Sequence, residues 1–392
     1  MSRRPLVAGL LALVLAACSG PILANPPLVP VAPSTPTPGP TGAPDPQPIV
    51  FPRDDGPHDR LTEWWYVTGH LAAEDGRRFG YEAVVFRAER GGFPVSWASN
   101  LALTDESAEE FRYAQRAFVG PEADRSLRDG AGVAQRFDLV VPVVDATTGS
   151  VSAAEPWMLS GAVGGLTIEA RLSEAEALAA GGEFGLTLAF PASGRPPALH
   201  GGSGWLDFGP AGGSYYYSLT RLKGAGVLSL DGADVPVTGT AWFDHQWGDF
   251  ISVGGGGWDW FAVNLDDGTD LMISLVRAAD GSYPLVYATL VDPDGRARHL
   301  DSTAFEVEAD PARTWSSPAT GATYPAGWTI RIPSEAVVID LEPAVADQEL
   351  DTRATTGVVY WEGSQLVRAT RDGEPIGGEA YVELTGYAPA AP

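Results

Sequence analysis

Residues 258–300 read as WDWFAVNL-DDG-TDLMISLVRA-ADGS-YPLVYATLV-DPDG-RARHL, four short alternating runs joined by Asp-Gly-type turns. Such turns match the right-handed twist of the strands beside them, and runs joined this way form an antiparallel meander. The rest of the chain agrees. RFGYEAVVFRAERGGFP, GLTIEARL and FGLTLAF alternate with the period of a strand, and only LSEAEALAAGG, 172–182, has a helical period, ending in glycines as a short connecting helix does. With 47 glycines and frequent aromatics, the class is all-β. Consecutive hairpins favour up-and-down antiparallel barrels, although a sandwich alternates with the same period. The globular part is long enough for two domains, and the Gly-rich LKGAG at 222–226 places their boundary, giving 51–224 and 225–388.

The first eighteen residues, MSRRPLVAGLLALVLAAC, have a basic start, an apolar run and small residues before a cysteine, the pattern of an export signal. LAAC matches the bacterial lipobox, so residues 1–18 read as a lipoprotein signal peptide, with Cys18 lipidated at the mature N-terminus. Residues 19–50, dominated by Pro, Thr, Ala and Gly between Pro21 and Pro48, read as a tether that cannot form a core. This implies an exported bacterial lipoprotein at the cell envelope. Cys18 is the only cysteine, which excludes a disulfide framework, a thiol nucleophile and a thiolate metal site. Against 25 Lys and Arg stand 50 Asp and Glu, a formal charge of −25 that repels nucleic acid and anionic lipid surfaces. Membrane attachment is therefore expected only through the N-terminal anchor, and no nucleic-acid partner is expected.

Three strands carry candidate chemistry. In TEWWYVTGHL, 62–71, Trp64 and Tyr66 share an aromatic and polar face with Thr68 and His70, suited to line a ligand cavity, though tryptophans also simply fill small barrels. In SYYYSLTRL, 214–222, Tyr217 and Arg221 fall on one side, and Arg221 is placed to pair with Asp244 or Asp259 across a domain interface. In AWFDHQWGDF, 241–250, alternation puts Trp242, Asp244 and Gln246 on one face and Phe243, His245 and Trp247 on the other. Beyond a run of glycines, WDWFAVNL places Asp259 on the face of Phe261, Val263 and Leu265. An acid there finds a partner or becomes protonated near neutral pH, and a neutral carboxylic acid among aromatic rings can protonate an unactivated substrate. The five histidines are dispersed without metal-site spacing, Asp-Asp-Gly at 266–268 is explained by turn chemistry, and no phosphate loop, dinucleotide fingerprint or nucleophile elbow occurs. No metal and no cofactor is expected.

EWWYVTGHL, FGYEAVVFR, YYYSLTRL, GTAWFDHQWGDF, GWDWFAVNLDDGTDLM and YWEG…GGEAYVELTGYA, in this order over about 54–387, together resemble the AttH-like and carotenoid 1,2-hydratase (hydroxyneurosporene synthase) family. The resemblance implies two lipocalin-like antiparallel β-barrels in tandem. It implies addition of water to an isolated carbon–carbon double bond of an acyclic isoprenoid or other apolar lipid by acid-catalysed protonation. Carried over to this chain, Asp259 is the expected proton donor, with Trp258 and Trp260 beside the carbocation. Asp244 and His245 are expected to handle the water, Trp247 to line the cavity, and Tyr217 and Arg221 to hold the acids. The sequence departs from the family at Gln246, where a glutamate is frequent, and at Asn100, where a histidine is usual. A non-catalytic lipocalin-type carrier of a lipid or isoprenoid is the alternative expectation, and a structural or adhesion module on a stalk a third.

Overall fold

The computed structural model describes residues 44–145, 148–250 and 255–389; the signal peptide, Cys18 and most of the Pro-rich segment lie outside the described residues. The chain is almost entirely β. A first group of strands comprises β1 (Thr62–Ala73), β2 (Arg78–Ala88), β3 (Ser96–Asp105), β4 (Glu110–Val119), β5 (Phe137–Val144), β6 (Val151–Ala162), β7 (Gly165–Arg171), β8 (Phe184–Pro191), β9 (Ala198–Leu199), β10 (Trp205–Asp207), β11 (Gly213–Leu230) and β12 (Ala233–Gly248). Between β7 and β8 lies the expected short helix, α1 (Glu174–Ala180), started by a Ser173/Glu176 capping box and stopped by Gly181 in the left-handed conformation. These strands form one antiparallel sheet in the order β4-β3-β2-β1-β12-β11-β8-β7-β6-β5. Across its two ends Arg116 of β4 donates to the carbonyl of Val141 in β5 at 3.1 Å and pairs with Glu176 at 2.7 Å.

A second sheet begins at β13 (Gly255–Leu265), β14 (Asp270–Ala278), β15 (Leu285–Val291) and β16 (Ala297–Leu300), the meander legible in the sequence. It is completed by shorter strands and by β23 (Val359–Arg371) and β25 (Gly378–Thr385), numbered in chain order, in the order β16-β15-β14-β13-β25-β23 and onward. Each sheet curls around its own apolar core, Trp65, Phe137, Phe184 and Phe243 in the first and Phe261, Trp328, Ile339 and Trp361 in the second. The fold is thus two lipocalin-like curled antiparallel sheets in tandem.

The boundary expected at 222–226 lies inside β11, and both β11 and β12 belong to the first sheet; the second starts at Gly255. The glycines there serve a close crossing rather than a turn. A Cβ on Gly226 would sit 1.9 Å from the carbonyl oxygen of Thr187, and one on Gly224 2.2 Å from that of Ala189. A bulge between Leu219 and Leu222 also breaks the alternation of β11, so Leu222 joins the first core while Arg221 reaches Asp270 of β14 instead of Asp244 or Asp259.

Candidate active site

A third apolar cluster is shared by the two sheets: Tyr66, Tyr216 and Trp242 from the first pack with Trp260, Met272 and Tyr381 from the second. Polar contacts cross the same seam, among them Tyr66 Oη to Glu362 at 2.6 Å and Asn100 Nδ2 to the Tyr360 hydroxyl at 2.8 Å. Asp270, fully buried, accepts from Arg221 and from Arg195, which pairs with it at 2.6 Å. The seam is not filled. It encloses a cavity of about 140 Å³, walled by Trp64, Tyr66, Phe86, Trp258, Trp260 and Tyr287.

Strand period decides what faces this space. Trp258 and Trp260 of β13 point into it, so Asp259 and Phe261 point into the second core. Asp244 and Gln246 of β12 point into it, so His245 and Trp247 point into the first core.

Asp244 is the acid of the first wall. It is 3 % exposed, and its oxygens accept from Tyr216 Oη, from Ser218 Oγ and, at 2.6 Å, from Trp242 Nε1. Burial pushes its carboxyl up to about 7 against these donors, so near neutral pH it holds a transferable proton. Trp260 Nε1 donates to Tyr216 Oη at 3.1 Å, which ties this acid to the second sheet.

Three glutamates stand elsewhere in the seam, one from the first sheet and two from the second. Glu82 of β2 accepts from the Tyr360 hydroxyl at 2.9 Å and is pushed up to about 8, chiefly by burial. Glu383 of β25 is pushed up to about 7, again by burial first. Glu362 of β23 is the direct cross-strand partner of Glu383, and burial and the neighbouring acids drive its carboxyl well above the ordinary range. Like charges this close cannot all ionise, so the cluster is kept mostly neutral. Glu82 and Glu383 line the cavity directly.

A separate polar cluster lies inside the first core. Glu63, fully buried, accepts from His58 Nδ1 and from His245 Nε2 at 2.8 Å each, and from the His58 amide. Burial works against the Glu63 charge, but the two rings hold it down at about 2; His58 is raised despite burial by Glu63 and Asp54, while burial lowers His245 to about 4. These three residues bring ligand-type atoms within 4.8 Å of one another, the arrangement among the described residues that could hold a metal ion. The carboxylate is already satisfied by the two rings and the amide, and His58, stacked on Trp247 at 4.1 Å, carries the balancing charge.

A family model described as AttH-like matches residues 42–387. The chain belongs to the AttH-like family. A crystal structure of an AttH protein from Nitrosomonas europaea is similar at a TM-score of 0.70 and 32 % identity, covering 87 % of this chain and 98 % of that one. Kievitone hydratase from Nectria haematococca shares the fold at a TM-score of 0.60 and 18 % identity, over 94 % of this chain and 98 % of that one. The dehydratase asqC of Emericella nidulans is 26 % identical over 161 residues, which is 39 % of this chain and 44 % of that protein. The chain thus matches less than half the length of that curated relative.

In this AttH-like chain the residues singled out from sequence, apart from Arg221 at Asp270, separate into three places. Asp244, Trp64, Tyr66, Trp258 and Trp260 meet at the cavity. His245, Trp247 and Tyr217 do not; they belong to the first core, where the Tyr217 hydroxyl donates to Asp55 at 2.8 Å. Asp259 lies at neither. Arg277 pairs with it at 3.0 Å and Tyr387 donates to it at 3.0 Å, so the acid on an apolar strand face met its partner across the second sheet, on the side away from Trp258 and Trp260. Burial raises its carboxyl while Arg277 opposes the rise.

Of the two departures from the family pattern, Gln246 lines the cavity and donates to Ser214 Oγ at 2.7 Å, and Asn100 holds the Tyr360 hydroxyl beside Glu82. Glu82, Glu362 and Glu383 went unremarked in the sequence. Their signal was available: each is an acid inside an otherwise apolar strand, in FGYEAVVF, VYWEGS and AYVELT, the same anomaly that drew attention to Asp259.

Proposed function

We propose that this AttH-like protein is a hydratase or dehydratase of an apolar small molecule, working in the cavity between its sheets with Asp244 as the acid. The observation that carries the reading is Asp244 itself: a buried carboxyl titrating near 7, facing a cavity walled by indole and phenol rings. A general acid is most effective when its pKa lies near the working pH. The dehydratase asqC supports the reaction class.

In the hydration direction the Asp244 proton passes to one carbon of an isolated double bond, and the electron pair of that bond forms the new carbon–hydrogen bond. The carbocation left on the other carbon is stabilised by the faces of Trp258, Trp260 and Trp64. A water adds to it, and the oxonium proton passes to Glu383 of the opposite wall, whose carboxyl, pushed up to about 7, is in part ionised near neutral pH. Dehydration is the reverse. Benzene binds engineered cavities of about 150 Å³, so roughly 140 Å³ admits one isoprene-sized end of a substrate. An acyclic isoprenoid or related lipid is therefore the substrate class we favour. We further propose that lipidation at Cys18 tethers the protein at the cell envelope, where such molecules partition.

The test is to incubate the purified protein with squalene, an acyclic isoprenoid alkene, and to follow a tertiary alcohol by mass spectrometry, with Asp244→Asn beside it. Product with the native protein and none with the variant supports the reading. Lipid co-purifying with the native protein, bound but unconverted in every condition, would establish the carrier instead.

A further inference from the structure

Beside Asp244, on the same face of the sheet and within the seam, a line of hydrogen-bonding groups crosses from the first sheet into the second. Ser218 Oγ reaches Asp244 Oδ1. His200 Nε2 lies 2.6 Å from the same Ser218 Oγ, and His200 Nδ1 lies 2.8 Å from Thr289 Oγ1 on β15. His200 and Ser218 are fully buried and Thr289 is 1 % exposed. Thr289 is the cross-strand partner of His299 on β16, which is exposed, so the line ends one residue from solvent.

Each member can donate and accept in turn. When Asp244 is ionised, its oxygen accepts the Ser218 proton, Ser218 accepts from His200 Nε2–H, and bare Nδ1 accepts from the Thr289 hydroxyl. When Asp244 is protonated every bond reverses: Asp244 donates to Ser218, Ser218 donates to bare Nε2, and Nδ1–H donates to Thr289. The two states of the acid therefore match the two neutral tautomers of one imidazole.

We infer that Ser218, His200 and Thr289 form a proton relay that reloads Asp244 through the seam, beside the cavity, while an apolar substrate fills the cavity. The need for it follows from the proposed reaction, on which this inference rests. The proton leaving Asp244 ends on a substrate carbon, and the proton released by water is taken at the opposite wall, so Asp244 needs a second source. One passage moves one proton along three hydrogen bonds without forming an imidazolium: Ser218 gives to Asp244, Nε2 gives to Ser218, Thr289 gives to Nδ1, and a proton taken up from solvent beside His299 restores Thr289, so that the line gains the one proton that neutralises Asp244. His200 is a positioning residue, acting on substrate only through Asp244. Its ring is suited to this role because burial lowers it to about 3, so it stays neutral and relays by exchanging tautomers.

The groups facing this line are Tyr216, whose ring centroid is 4.1 Å from that of His200, together with Tyr287, His299, Glu362 and Glu383. Of these Glu383 titrates in the same range as Asp244 and needs its own control.

With only five histidines, the chain labelled with 15N-histidine resolves His200 by long-range proton–nitrogen correlation, its signals assigned through His200→Gln. Between about pH 5 and about pH 9 the expected result is a neutral ring that changes from Nδ1–H to Nε2–H, with the midpoint of Asp244. The change persists in Glu383→Gln and is lost in Asp244→Asn and Ser218→Ala. A single tautomer throughout, an imidazolium, or a change that survives Asp244→Asn overturns the relay. If the tautomers exchange as described while the native protein leaves squalene unconverted, the relay stands and the hydratase reading fails. If squalene is hydrated through Asp244 while His200 keeps one tautomer, the reverse holds.

Discussion

Asp244 and His245 are consecutive in sequence and face opposite sides of one sheet, the carboxyl toward the seam cavity and the imidazole into the first core. They cannot share a substrate, which sets different outcomes for their removal. Asp244→Asn keeps the shape and removes the acid, so turnover is expected to fall by about 10² to 10⁴, the usual contribution of general acid catalysis, with little change in thermal stability. In the native protein the acid form is lost as pH rises through about 7, so rates should decline above that point. Steady-state rates of both proteins across pH check this, and an alkaline decline surviving in Asp244→Asn would assign the limb to another group.

Glu63 predicts a stability effect without a catalytic one. Glu63→Gln removes the charge that holds His58, and breaking such a buried pair costs about 3 to 5 kcal/mol. The pH dependence follows from three shifts. Glu63, depressed, stabilises fully above 4.5 and loses this as pH falls toward about 2; His245, kept neutral, loses stability as pH falls from 6.5 toward about 4 because the unfolded ring takes up a proton. His58, raised, stabilises fully below 6.5 and loses this as pH rises through its folded value. From these groups, urea midpoints should peak near 6.5 in the native protein, and Glu63→Gln should flatten the alkaline side. Two curves running parallel at a fixed offset would show that His58 does not titrate with folding.

The facing pair Glu362 and Glu383 gives the opposite sign. Glu362 is raised well above 4.5, so it binds a proton in the fold that the unfolded chain has released, and stability drops as pH climbs through that interval. Glu362→Gln mimics the protonated form and keeps the acceptor for the Tyr66 hydroxyl. The variant should match native stability at about pH 5 and exceed it at about pH 9. Denaturant titrations at the two values decide it; equal stability at both would mean Glu362 is ionised in the fold.

How far the sequence could be read depended on what each feature requires. The meander from β13 to β16 was legible because Asp-Gly turns and period-2 alternation are local properties. The same alternation correctly put Asp244 and His245 on opposite faces. Which face of a strand meets which neighbour is not local. Asp259 sits on an apolar face, yet its partners Arg277 and Tyr387 come from 18 and 128 residues away and turn an apparent donor into an ion-paired group. The glutamates of the seam converge from β2, β23 and β25, and no single segment shows that they meet. Gly224 and Gly226 look like a turn until β8 is laid across them.

The last prediction concerns the cation rather than the acid. Trp258 lines the cavity, and its backbone is held by Thr385 Oγ1, whose contact to the Trp258 amide is 2.7 Å and does not depend on the indole. Trp258→Leu should therefore preserve the strand and much of the apolar wall while removing a ring face. A cation–π contact in a dry site is worth about 2 kcal/mol, roughly 30-fold in rate, and it exists only once charge has developed on the substrate. The expected signature is a kcat lowered by about that factor with KM little changed, because an interaction made in the transition state alone leaves ground-state binding as it was. A loss confined to KM would instead make Trp258 a packing surface for the neutral chain of the substrate.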